Sequence, residues 1–508
     1  MSDRHLIIIG GGLAGLSAGC YAQRSGFRVT IVEHNLALGG VCTAWQRGPY
    51  AVDGCIHWLT GGAFDQVYEE LGILPAVGLR VLDTWATYRD GSTGFEVAFT
   101  RDLDALERRL ADAAPDDGAE LERLHEGAEA LVAMHPSMDA PELSSVAGSL
   151  RSLWESRSAV GPLVHFRKPM GTWAADHLRS AQLRRMFNRM MPETTPAFFL
   201  LMVLGYLKRG YLSRPIGGTA AFRDALVKSY ESLGGEALVN ATVDEIVVRG
   251  GRARGVRLSD GSMIEGDYVL STSSGPETVQ RLLGGRFEGG EMEQRLARWK
   301  MFDPIVLASF GVSVPLAEAP SLLTIDRVPS FEVGGRANDA LMIRVCNDDP
   351  CFAPEGHTVI QALLPTNYEW WATRGSGYNA AKDELTERLI GVLEPHFPAI
   401  SGHVRMTDLA TPLTYWHMAR SWRGAFEGWM PSAETMFAHV RKTLSGLEGF
   451  YMAGQWVEPG GGVPTAVMSG RHAAQLICKD ADRPFVAGGH SRLSAAMGST
   501  RRASRAGK

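Results

Sequence analysis

The chain has 508 residues, long enough to bury a large core and to divide into two intertwined or consecutive domains. Its 45% hydrophobic and 21% charged composition is ordinary for a globular protein, and a formal net charge of −5 gives no footing for nucleic acid. Six scattered cysteines, with no C-x-x-C pair and no metal-ligand spacing, argue against a structural zinc site, so no metal is expected, and they suit a reducing, cytoplasmic compartment.

The first 60 residues read strand, helix, strand: "HLIIIG", then "LAGLSAGCYAQRSG", then "RVTIVE". An apolar strand beginning by Leu6 leaves no space for a secretory signal. Between the first strand and the helix, Gly10, Gly12 and Gly15 form G-x-G-x-x-G. Gly10 permits the tight turn, Gly12 lets backbone approach a pyrophosphate, and Gly15 lets helix and sheet pack closely. The helix N-terminus favours phosphate, and Glu33, closing the second strand, would accept ribose hydroxyls and repel a 2'-phosphate. Gly39 and Gly40 follow, a second side-chain-free approach for a cofactor that continues past its pyrophosphate.

From Arg101 the period becomes helical, with Leu103, Leu106 and Leu110, then Leu121, Leu124, Ala128 and Leu131, interrupted by "PDDG" at 115–118. The apolar run "FFLLMVLGYL" at 198–207 is about half a membrane span, so the chain is expected not to cross a membrane, though it could touch one. After "PIGG" a helix is predicted from Ala220 to Leu233, then a small β-meander with Gly-Gly and Asp-Gly turns. Residues 286–440 mix strands such as "PIVLASFGV" and "TVIQALL" with a helix from Ala380 to Leu393. A last strand, "GFYMAGQW", feeds "VEPGGGVPTAV", a glycine loop opening a helix with Pro464 in its first turn. Such an N-terminus aimed at a flavin's pyrimidine edge would stabilise negative charge there, which favours FAD over NAD. Arg483, Arg492, Arg501, Arg502, Arg505 and Lys508 mark 481–508 as a disordered basic tail.

"GGGLAGLSAG", "LALGGVCTAW", "YAVDGCIHW", "YLSRPIGGTAAFRDALVKSYESLGG", "ATPLTYW" and "GFYMAGQWVEPGGGVPTAVMSGRHAA" together resemble the phytoene desaturase superfamily of flavoproteins, on the carotenoid isomerase and retinol saturase side. The resemblance implies an α/β fold: a discontinuous Rossmann-like FAD-binding domain (1–64, 211–285, 441–480) with an inserted α+β substrate domain (65–210, 286–440). It carries FAD contacts onto Gly10, Gly12, Gly15, Glu33, Gly39, Gly40, Val243, Gly454, Gly462 and Val463. Gln455 stands where many relatives have an acid, and Val41 where an Arg is frequent.

The family implies a long lipophilic substrate, isoprenoid or polyene, altered by desaturation, saturation or cis/trans isomerisation; a membrane surface is a further candidate contact of the apolar run and the basic tail, and the electron partner is left open. Run 198–207 and the aromatics Trp154, Phe166, Trp173, Trp370, Trp371, Trp416, Trp422 and Trp429 are candidates for an apolar tunnel, although most single Trp residues are core. His57 and Glu458 are the best-placed acid–base candidates by chain position, while Cys42 and Cys55 read as small packing residues. Two other readings share the fold: an amine oxidase, and a prenyl-lipid-binding protein of the Rab escort type without redox chemistry.

Overall fold

His5–Ile9 is buried at every position without alternation, as befits the centre of a parallel sheet covered on both faces. In the computed structural model, which describes residues 4–132, 137–144, 157–436 and 438–488, this strand is the middle of a five-stranded parallel sheet. The order across it is Glu236–Leu238, Arg28–Val32, His5–Ile9, Tyr268–Ser271, Phe450–Met452. Every strand comes from 1–64, 211–285 or 441–480. Helices Leu13–Arg24, Gly218–Ser232 and Gly462–Asp480 pack around this layer. A Cβ on Gly470 would overlap the Ala14 carbonyl, so the first and last of these helices meet backbone to backbone. The meander Val243–Arg249, Arg252–Leu258, Met263–Glu265 is antiparallel. The last strand is Phe450–Met452, shorter than "GFYMAGQW", because Gly454 turns the chain at φ +101°.

A seven-stranded sheet forms the second layer, in the order Val404–Ala410, Ile305–Val312, Thr358–Pro365, Arg336–Cys346, Leu322–Val333, Thr84–Asp90, Glu96–Thr100. Its pairs are antiparallel except that of Leu322–Val333 with Thr84–Asp90, which joins segment 65–210 to segment 286–440. One face, with Val306, Ala308 and Phe310, packs on helix Tyr378–Leu393 through Leu385 and Leu389. The other face presents Leu307 and Leu363 to Tyr50 and Val52 of a two-stranded hairpin, Ala44–Arg47 with Tyr50–Asp53. Helices Leu103–Ala113 and Gly118–Leu131 flank a turn at Pro115–Asp117, where the spacing predicts the break.

The run 198–207 lies in helix Ala197–Lys208, packed into the core of the helical layer with Phe166 and Trp173. Trp173, Trp371 and Trp429 are 0% exposed and Phe166 1%, so no water-sized space touches the first three. Trp173, Trp371 and Trp429 belong to three separate cores, Phe166 sharing that of Trp173, with Trp370 and Trp422 packed at the edges of two of them, and Trp416 half-buried. The expectation that these residues wall one tunnel is therefore corrected: close packing consumes the fully buried ones. Trp154 lies outside the described residues.

Among the described residues, no helix is long and apolar enough to cross a membrane. The segment expected to begin the tail is held down as far as Ala487. Phe485 packs on Tyr21 with ring centroids 5.4 Å apart, Val486 N–H donates to Ser25 Oγ at 3.1 Å, and Arg24 Nη1 donates to the Ala487 carbonyl at 3.1 Å. Residues 489–508, with Arg492, Arg501, Arg502, Arg505 and Lys508, lie outside the described residues.

Candidate functional site

One cleft runs from the end of strand His5–Ile9 to the start of helix Gly462–Asp480, with about 1290 Å³ of empty space counted out to its mouth. Of the residues singled out in the sequence, Gly10, Gly12, Glu33, Gly39, Gly40, Val243, Gly454, Gln455, Gly462 and Val463 line it. Gly15 lies behind the lining, where a Cβ would overlap the Gly10 carbonyl: its role is helix-to-sheet packing.

The floor is backbone. Gly10 turns at φ +96°, and Gly12 caps helix Leu13–Arg24 with no side-chain hydrogen bond, leaving the first-turn amides directed outward. The Gly39 N–H donates to the Gly11 carbonyl at 2.8 Å, which lays the Gly39–Gly40 turn against Gly12. Glu33 is buried, its Oε2 accepting the Gly11 N–H at 2.7 Å and its Oε1 the Asn35 N–H at 2.8 Å. Each oxygen keeps a second lone pair for a ligand hydroxyl. The Val243 carbonyl accepts from Arg281 Nη2 at 2.9 Å, and Arg281 is itself paired with Glu277.

Neither acid–base candidate is among the cleft-lining residues. His57 is buried beneath the second sheet, and Arg214 Nε donates to its carbonyl at 2.7 Å. Burial, reinforced by Arg344 and Arg214, pushes its imidazole down to about 3, so it is neutral near pH 7. The unfolded chain takes that proton from about 6.5 downward, the folded chain only near 3. Stability from this group is therefore complete above about 6.5 and declines as pH falls toward 3, by at most roughly 1.4 kcal/mol per pH unit. His57→Gln should flatten the loss of urea midpoint between neutral and mildly acidic buffer; an unchanged acid loss would refute the assignment. Glu458 pairs with Lys442 Nζ at 2.8 Å and His472 Nδ1 at 2.8 Å. Burial works against its ionisation, yet His472 and Lys442 hold the carboxyl down to about 2, as a structural ion pair requires.

The cleft also gathers residues that the sequence left unmarked. Met418, Ala419, Arg420 and Ser421 close its mouth, with Arg420 in the left-handed region at φ +50° and its carbonyl accepting from Ser274 Oγ at 3.3 Å. At the inner end stand Phe426, Glu427 and Trp456, beside Cys42 and Cys55, which the sequence marks as packing residues. Glu427 has no motif around it; only its position opposite Gly461 and Gly462 identifies it.

The model of one protein family, flavin containing amine oxidoreductase, matches residues 13–478. A phytoene desaturase (lycopene-forming) of Paracoccus sp. is 25% identical, over 93% of this chain and 97% of its own length. An all-trans-zeta-carotene desaturase of Myxococcus xanthus is 25% identical, over 95% of this chain and 94% of its own. The solved cyclohexylamine oxidase of Brevibacterium oxydans superposes with a TM-score of 0.60 at 16% identity, covering 95% of this chain and all of that one, which bears on the fold alone.

Proposed function

We propose, on the premise that the chain belongs to the flavin containing amine oxidoreductase family and is a flavin-dependent oxidoreductase, that it binds FAD along this cleft and dehydrogenates CH–CH bonds of a long isoprenoid-like substrate. The observation that carries the cofactor reading is the meeting in one cleft of Gly10, Gly12, Glu33, Gly39 and Gly40 from one end of the chain with Gly454, Gln455, Gly462 and Val463 from the other. The residues fit a dinucleotide with an extension. Gly12 and Gly40 face each other with no side chain between them, and a Cβ on Gly454 would meet nothing closer than 3.9 Å. Glu33 suits a ribose diol and disfavours a 2'-phosphate.

Bound there, the flavin would supply a two-electron acceptor that takes hydride from an allylic carbon. The chain's part is to place and shield it. The first-turn amides of Leu13–Arg24 would face phosphate, and the start of Gly462–Asp480 would favour the negative charge that reduction brings. Phe426 and Trp456 supply apolar surface at the inner end, where water must be kept away. The two desaturase relatives support the substrate class.

Anaerobic incubation of the oxidised, yellow protein with candidate polyenes tests this, read by product mass. The expected product has lost two hydrogens as the flavin bleaches. A gain of two from the reduced protein, or an isomer of equal mass, would replace dehydrogenation by saturation or isomerisation, and peroxide release with a simple amine would replace it by amine oxidation. Protein that stays colourless after reconstitution with FAD would remove the cofactor reading.

A further inference from the structure

Glu427 follows the turn Trp422–Gly424 and lines the cleft's inner end together with Cys55, Gln455, Gly462 and Val463. Its carboxylate lies against the glycine turn that opens the last helix. A Cβ on Gly461 would overlap Oε2, and the Gly462 N–H donates to the carboxylate. Gly461 sits at φ +68° as the N-cap and brings no side chain of its own to the helix end. Among the described residues, no Arg, Lys or His forms an ion pair with Glu427. The other titratable groups along the cleft are Glu33, His34, Glu277, Arg281 and Arg420, with the thiols of Cys42 and Cys55; the Tyr415 phenol stands beside Cys55. Arg281 is spent on Glu277 and the Val243 carbonyl, and Glu33 on two backbone amides.

We infer that Glu427 is the proton carrier of the flavin pocket, taking up one proton when the cofactor is reduced and releasing it on reoxidation. This rests on the FAD reading above. The N-terminal amides and dipole of Gly462–Asp480 amount to roughly half a positive charge, enough to favour one anion at the helix end. An ionised Glu427 already occupies that role, so a second negative charge on the reduced flavin would repel it in a shielded cleft. Protonation of Glu427 relieves the conflict. Dehydrogenation supplies that proton: a substrate CH–CH loses hydride to flavin N5 and a proton from the neighbouring carbon, forming the C=C bond. Oxidised flavin and the Glu427 carboxylate become anionic reduced flavin and the neutral acid, and atoms and charge balance.

Burial raises the Glu427 carboxyl to about 7 in the chain itself, opposed by the Gly462 N–H, so it is poised to change state near neutrality. The test is potentiometric titration of the bound flavin, followed by its absorbance, on either side of pH 7. In the wild type, reduction should take up one proton per electron pair below about pH 7 and two above it. In Glu427→Gln the count should stay at one throughout. Protonation of flavin N1 would change the count in the opposite direction, two falling to one as pH rises, so the sign separates the two groups. A wild-type count that does not rise, or a rise retained in the Gln variant, overturns the inference while the yellow colour leaves the FAD reading standing. Colourless protein overturns both. Should the variant lose its flavin, proton uptake by the wild type during photoreduction, read with an indicator dye, gives the same count and the same decision.

Discussion

Replacing Gly12 by valine should strip the protein of flavin and leave its fold in place. Gly12 has φ −73° and ψ −179°, ordinary extended backbone that valine adopts without strain. A Cβ there would meet only the Gly40 Cα, at 3.9 Å, so no protein atom is displaced. The two methyl groups would instead rise over the glycine floor of the cleft, which the cofactor's pyrophosphate is expected to approach. Overpacking of this kind costs about 1–3 kcal/mol or more, so flavin retention should drop at least roughly fivefold. The ratio of flavin to protein absorbance after purification and reconstitution measures it, and wild-type occupancy would contradict the site. Gly15→Val, three residues on, should fail differently: its Cβ would overlap the Gly10 carbonyl, so the fold itself should suffer.

Asp53→Ala should cost about 3–5 kcal/mol of stability, the usual result of leaving a buried charge without its partner. Asp53 is 0% exposed and accepts from Thr219 N–H at 3.2 Å, from the Thr219 hydroxyl, and from Arg344 Nη1 at 3.4 Å. Arg344, 1% exposed on strand Arg336–Cys346, also donates to the Ile56 carbonyl at 2.8 Å, so this group ties the flavin-side helix Gly218–Ser232 to the seven-stranded sheet. The Arg47–Asp408 pair offers the contrast. At 2.6 Å it is shorter, yet the Arg47 side chain is 50% exposed, and its loss should cost only about 0.2–1 kcal/mol. Burial, not distance, sets the order. Thermal midpoints of Asp53→Ala and Arg47→Ala measure both, and Asp53→Ala, Arg344→Met together should recover part of the loss. Equal, small shifts for the two single variants would refute the argument.

Several parts of the site were readable before any coordinates. The G-x-G-x-x-G turn, the first helix and Glu33 are set by glycine backbone freedom and by strand and helix periods over about thirty residues, and their geometry follows from neighbours in sequence. The break at 115–118 and the helix before Leu393 were legible for the same reason. His57 shows where this stops. It lies two residues from Cys55, which lines the cleft, yet its ring faces Arg344 and Arg214 instead. Glu458, one residue before Pro459 and the glycine loop, is likewise claimed by Lys442 and His472.

By itself the sequence determined the family, the α/β class and the glycine cradle, because these rest on local conformation and on a pattern of motifs in a given order. Only the tertiary structure decided that the aromatics are dispersed among separate cores, that 65–210 and 286–440 share one sheet, and that Glu427 stands at the opening of the last helix. Those facts depend on which face of an element is buried and against what. Desolvation without a charged partner, which raises the Glu427 carboxyl, is a property of the packed chain that residue identity alone does not carry.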